Sequence, residues 1–195
     1  YYGDYADELP QAALVNCTYN GKLYGVTYVT PISLVFYSKK AFSEAGAEIP
    51  RTYDELLECC AKLKQAGYIP IGNSVKDSWV LAMLHDGLTL KSVGPARLGK
   101  VLTGEEGSYN SEDFLIASKA VKKIITEGFM NPYAAGLTND QCVAQFYEGK
   151  SAMYITGSWL AGGFYEKRGG QYVNVENPED FDCFPIPLIN GENAR

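Results

Sequence analysis

The chain has 195 residues, 46% of them apolar and 21% charged: enough to bury a real core, and too apolar for a disordered tail. Its net charge of -6 comes without any basic run or stripe, which argues against nucleic acid and anionic membrane surfaces as partners. No apolar run approaches the ~20 residues a membrane-spanning helix needs, and five cysteines with no C-x-x-C spacing argue against a disulfide framework or a zinc site.

In chain order, a short helix is predicted around Leu9 to Val15. Asn20-Gly21 comes next, the strongest short hairpin signal, with Cys17-Thr18-Tyr19 and Leu23-Tyr24-Gly25-Val26 as strands. Tyr28-Val29-Thr30-Pro31 is extended because of its proline. Leu34 to Tyr37 is an unbroken apolar run expected to be a fully buried strand. A helix from Lys40 to Ala45 stops at Gly46. Thr52 and Glu55 have the spacing of a capping box, and Leu56, Leu57, Cys60 and Leu63 mark the buried face of the helix they open. Within that helix Cys59 and Cys60 are read as one core thiol and one boundary thiol.

Tyr68 to Ile71 is the next strand, an edge or a strand end because of Pro70. The polar loop Gly72 to Ser78 then delivers Trp79 to a helix start. Residues 94 to 107 read as loop. Asn110 or Ser111 opens a helix with Phe114, Ala117, Val121, Ile124 and Ile125 along one side, closed by Gly128. Gln145 to Glu166 reads as helix, stop at Gly149, buried strand over Ala152 to Ile155, turn, and a second helix capped by Ser158. Phe184 to Ile189 is a proline-interrupted strand. Alternating strands and helices predict an α/β fold with helices on both faces of a mostly parallel sheet.

Ala144 to Ser151 approaches a phosphate-binding loop, but that loop needs a strand before it and a helix after it. Here the order is reversed, and Phe146, Tyr147 and Glu148 are bulky or anionic at the contact positions. His85, the only histidine, sits beside Asp86 and suggests a Cys-His or Ser-His hydrolase as the alternative function. No nucleophile motif accompanies it, and a helix-end histidine on a polar face explains it. No residue pattern calls for a catalytic group, metal or cofactor.

What remains is aromatic and short polar residues converging on strand-end loops: Tyr28 and Thr30, then Asn73, Asp77 and Trp79, then Gly157, Ser158 and Trp159. That set suits a sugar, whose C-H face stacks on an indole while its hydroxyls meet amide, carboxylate and backbone groups.

Asn20 to Val26, Leu34 to Phe42, Ile49 to Leu57 and Phe146 to Trp159 together resemble the family 1 extracellular solute-binding proteins of ABC importers, the family of maltose-binding protein. Where the family has Tyr-Asn-Lys, this chain has Tyr37-Ser38-Lys39. An acidic residue that some maltose binders carry near the first hinge crossing is replaced near Pro31-Ile32. The resemblance implies a periplasmic-binding-protein-like type II lobe, from a monomeric two-lobe receptor about twice this length that closes on its ligand. In that reading residues 1-32 end the first lobe and make the hinge crossing, and 33-195 belong to the second lobe. The chain's ends, Tyr1-Tyr2-Gly3 and Asn193-Ala194-Arg195, read as those of an excised piece. The same resemblance implies an oligosaccharide or other small solute as ligand, an ABC permease as partner, and a periplasmic or lipid-anchored extracytoplasmic location. It also implies stacking by Trp159 and, at a more variable loop, contacts from Trp79 and Asp77 or Ser78.

Overall fold

A computed structural model describes residues 9-15, 17-25, 27 and 29-189. The chain divides into two compact units between Ile32 and Ser33. Unit one holds helix α1 (Gln11–Val15) and strands β1 (Thr18–Tyr19) and β2 (Lys22–Leu23), paired antiparallel. Asn20 and Gly21 between them both have positive φ, 49° and 71°, as a tight primed turn requires. Val26 and Tyr28 lie outside the described residues.

Unit two is built on a four-stranded sheet in the order β4 (Ile69–Ile71), β5 (Ser151–Gly157), β3 (Ser33–Ser38), β8 (Phe181–Pro185). The α/β class holds, but the expected parallel character does not. Only β4 and β5 run parallel, while β3 runs antiparallel to both β5 and β8. A helical crossover permits parallel pairing but does not dictate which strands become neighbours in the sheet. Here two helices, α2 (Lys39–Ala45) and α3 (Tyr53–Gln65), link β3 to β4. Four more, α4 (Ser78–Val93), α5 (Pro95–Thr103), α6 (Glu112–Thr126) and α7 (Asn139–Tyr147), link β4 to β5. Beyond β5 come α8 (Leu160–Phe164) and a small hairpin, β6 (Lys167–Arg168) with β7 (Gln171–Tyr172).

Both sheet faces are covered. Val35, Tyr37, Met153 and Ile155 join the larger core with Leu56, Cys60 and Leu63 of α3, Leu84 and Leu88 of α4, and Ile124 of α6. Phe36 and Tyr154, opposite each other in the ladder, face the other way, onto Cys142 and Phe146 of α7, Leu160 and Phe164 of α8, and Val80. All seven residues of β5 are buried, as a central strand covered on both faces demands. β4 is an edge strand of this sheet, which tolerates the missing N–H of Pro70.

The helix starts obey their local chemistry. Thr52 accepts from Glu55 N and Glu55 accepts from the Arg51 and Thr52 amides, a complete capping box. Ser38 caps α2 by accepting from Ala41 N. α7 has a second box, Thr138 with Gln141.

Several expectations need correction. Residues 95-103 are helical, opened by Pro95 and closed at Gly104; Leu98, Val101 and Leu102 share one helical face, although no residue of α5 is buried. Cys59 and Cys60 are both buried, because α3 turns a broad face inward; burial pushes the Cys59 thiol up to about 12. Ile125 is exposed. The last strand lies at Phe181–Pro185, earlier than read.

One side chain ties the parallel strands together beyond the end of β4. Gly72 N donates to Met153 O at 2.9 Å. Asn73 Nδ2 then donates to Ile155 O at 2.7 Å while Asn73 Oδ1 accepts from Ile155 N at 2.9 Å. Asn73 is fully buried, so its amide substitutes for a further ladder step.

Removing it leaves two buried backbone groups unpartnered at roughly 1 to 3 kcal/mol each, so Asn73→Ala should lose about 3 kcal/mol in urea unfolding. Thr52→Ala should lose about 1 kcal/mol in the same measurement. The Arg51 amide hydrogen bond is the main cause holding the Glu55 carboxyl below its usual range. That contribution is therefore present above the ordinary carboxylate range and lost as pH falls through the lower folded value. The stability difference between wild type and Glu55→Gln should shrink on acidification.

Candidate functional site

The carboxyl end of β5 carries Thr156-Gly157-Ser158-Trp159, and the loop after β4 leads through Asp77 to Trp79 on the first turn of α4. The Asn73 clasp holds these two strand ends side by side. The structure accordingly brings the two indoles together, with ring centroids 6.1 Å apart and planes at 52°. Trp79 is 46% and Trp159 52% exposed, an unusual state for side chains that are highly buried on average.

Each indole grows from a fixed root. Val80, next to Trp79, is fully buried, and Leu160, next to Trp159, is buried in the second core. Gly157 is the seat of Trp159. A Cβ built on Gly157 would lie only 2.0 Å from Cζ3 and 2.3 Å from Cε3 of the indole, so only glycine lets the ring lie against the strand end. Met83, one turn along α4 from Trp79, is half-buried, and its Sδ lies 3.9 Å from Thr156 Oγ1. Sequence reading passed over Met83, although its i+4 spacing from Trp79 puts it on the same helix face.

The other expected site residues divide. Asn73 is not a ligand contact; both ends of its amide are spent on Ile155 inside the protein. Asp77 precedes α4 but caps a different helix: its Oδ2 accepts at 2.5 Å from Asn139 N, the first residue of α7. A carboxylate there satisfies an orphan amide and complements the helix dipole. Asn139 in turn accepts from Tyr154 Oη at 2.8 Å, and burial pushes the Tyr154 phenol up, keeping it a donor. Burial, with Asp77 second, raises the Cys142 thiol to about 11, so it is inert at neutral pH.

Ser158 stands one residue before Trp159, and its carbonyl accepts from Ala161 N at 3.2 Å. Trp159 already has helical dihedrals, φ -60° and ψ -24°, and α8 is little more than a single turn, weakened by Gly162-Gly163. Ser158 is half-buried beside Trp159. Thr30 belongs to the first unit and is exposed there; Tyr28 lies outside the described residues.

His85 is mid-helix instead of at a helix end. Its Nε2 lies 3.0 Å from Ser118 Oγ and its Nδ1 3.3 Å from Asp86 Oδ1. The order Asp86-His85-Ser118 has the contacts of a hydrolytic triad, but Ser118 sits inside α6. The amides of a helix interior are committed to helix hydrogen bonds and offer nothing to an oxyanion. The three side chains bridge α4 to α6. Among the described residues no group of three or more His, Cys, Asp or Glu is arranged to hold a metal ion.

With this geometry in place, the known relatives are informative. A model of the bacterial extracellular solute-binding proteins matches residues 2-194. The probable sugar-binding periplasmic protein of Mesorhizobium japonicum is 23% identical over 186 residues, 94% of this chain and 42% of that protein. A solved structure described in work on xylan utilization by the thermophilic bacterium Caldanaerobius polysaccharolyticus superimposes with a TM-score of 0.85 at 26% identity, covering 96% of this chain and 46% of that one. A chitin oligosaccharide binding protein shares the fold with a TM-score of 0.81 at 24% identity, over 96% of this chain and 45% of its own. The chain thus spans less than half the length of these relatives. Matched along nearly its whole length, the chain belongs to the family of bacterial extracellular solute-binding proteins.

Proposed function

We propose that the natural protein carrying this chain is the carbohydrate receptor of an ABC importer, and that the sugar stacks on Trp159 and Trp79. The observation that carries this reading is the indole pair itself: two half-exposed rings 6.1 Å apart at one sheet edge. An apolar, flat and rigid surface of that kind matches the C-H face of a pyranose. The names of relatives support the sugar assignment: a probable sugar-binding periplasmic protein in Mesorhizobium japonicum and a multiple sugar-binding protein in Streptococcus mutans.

Residues 1-32 are then the end of a first lobe with the hinge crossing, and 33-195 the second lobe. The division of the chain between Ile32 and Ser33 supports this assignment. Ser158 and the Gly157 backbone border the stacked ring, and Thr30 and Tyr28 are kept as candidate ligand contacts on the strength of sequence and resemblance alone. Asp77 and Asn73 act behind the site, holding the loop that carries Trp79. The receptor works as a monomer in the periplasm or on a lipid anchor at the outer face of the membrane, and hands its sugar to the permease by lobe closure.

Titrating an oligosaccharide panel into the whole natural protein should give saturable quenching of tryptophan fluorescence. Trp159→Ala should weaken the tightest ligand at least roughly tenfold, as loss of a central aromatic anchor does. Unchanged affinity in Trp159→Ala, or binding of amino acids, polyamines or anions in place of every sugar, would overturn the reading.

A further inference from the structure

Resting on the carbohydrate reading above, we propose that the indole pair selects for the turn between neighbouring sugar rings: the ligand is an oligosaccharide whose adjacent pyranoses are rotated against each other, and not one of the flat-ribbon glycans. A stacked sugar lies parallel to its indole. Two sugars, one on Trp79 and one on Trp159, therefore inherit the 52° between the ring planes. With the indole centroids only 6.1 Å apart, the two sugars are taken as neighbours in one chain.

The same numbers exclude the simpler arrangement. Two indoles that clamp one sugar from above and below must face each other in parallel, with the thickness of a sugar between them. These two are steeply inclined and in contact range of each other.

Glycans differ in this respect for chemical reasons. In a β-1,4 chain of hexoses each ring is flipped relative to the last, helped by hydrogen bonds across the linkage, and all ring planes stay parallel in a flat ribbon. Such a chain stacks on one indole and lifts away from the other. A β-1,4 pentose chain lacks the exocyclic hydroxymethyl group that helps lock the ribbon and winds into a twist; an α-1,4 glucan coils. Either offers consecutive faces turned against each other, and the shared feature is that turn.

The backbone roots and the seat of the two rings are set by the fold. Gly157 admits the benzo ring of Trp159 where any Cβ would collide. Val80 locks the backbone under Trp79 into the second core. The Asn73 clasp fixes the two strand ends relative to each other. Gly157 and Asn73 are on this account specificity-determining positions that touch no ligand through a side chain.

The test is calorimetric titration of the whole natural protein with xylotetraose and maltotetraose as twisted and coiled probes, cellotetraose and chitotetraose as flat probes, and xylose and glucose as single rings. At least one turned tetrasaccharide should bind about tenfold or more tighter than both flat ones and than its own monosaccharide. The preference should collapse in Trp79→Ala, where one stacking plane is left, and change in Gly157→Ala, where the Trp159 ring must tilt. Equal or tighter binding of a flat tetrasaccharide, a monosaccharide as good as its tetrasaccharide, or a preference untouched by Trp79→Ala would overturn this inference and leave the carbohydrate reading standing. Failure of every sugar to bind would overturn both.

Discussion

The two hydrogen bonds between the Asn73 amide and the backbone of Ile155 are the constraint on which the site depends. β4 is only three residues long and ends at Ile71, whereas β5 continues to Gly157. Without a partner at that point, the buried N–H and C=O of Ile155 would each be left at a cost of about 1 to 3 kcal/mol. Asn73 supplies the partner from a loop, and so registers the loop against the strand. The next residues along the loop are held by the same knot. Ser74 Oγ donates to Leu137 O, the Val75 and Lys76 amides donate to Ala134 O, and Asp77 accepts from the first amide of α7. Trp79 thus emerges from a loop fastened on two sides, next to the strand that ends in Trp159.

The consequence is a pair of indoles left partly in water. Completing the burial of a large apolar side chain stabilises by roughly 1.5 to 3 kcal/mol, so two half-exposed rings forgo something on the order of 1 kcal/mol each. The fold does not lack the means to cover an aromatic ring: Phe146, Phe164 and Phe181 pack against one another on the far face of the same sheet. The two exposed indoles sit where strand ends lead into loops and helix starts, the place where ligands bind in open α/β sheets. There a rigid apolar plane costs little ordering entropy when something stacks on it.

Much of this was legible in the residues because the signals were local. Asn20-Gly21 makes the turn it encodes, Thr52 and Glu55 close their box, and the Gly157-Ser158-Trp159 junction falls at a strand end. The features that escaped are those whose meaning lies across the sheet. Asn73 and Asp77 are polar residues in a polar loop and look alike as ligand contacts. Only the folded chain shows their distant partners, Ile155 and Asn139. Strand direction escaped because alternation does not say which strands become neighbours: β3 lies between β5 and β8 and not beside β4. α5 escaped because its apolar stripe, Leu98, Val101 and Leu102, covers barely one turn between Gly94 and Gly104, and none of its residues is buried. Gly157 was noted as backbone beside the site, and its function as the seat of Trp159 required the position of the ring.

The central claim is that Trp79 and Trp159 form one fixed pair in solution, and exciton-coupled circular dichroism of the indoles tests it most directly. Two indoles at 6.1 Å and 52° should give a couplet that disappears in both Trp79→Phe and Trp159→Phe and weakens in Asn73→Asp, where the amide donor to Ile155 is lost. A wild-type spectrum equal to the sum of two isolated tryptophans, with no couplet to lose, would contradict the account.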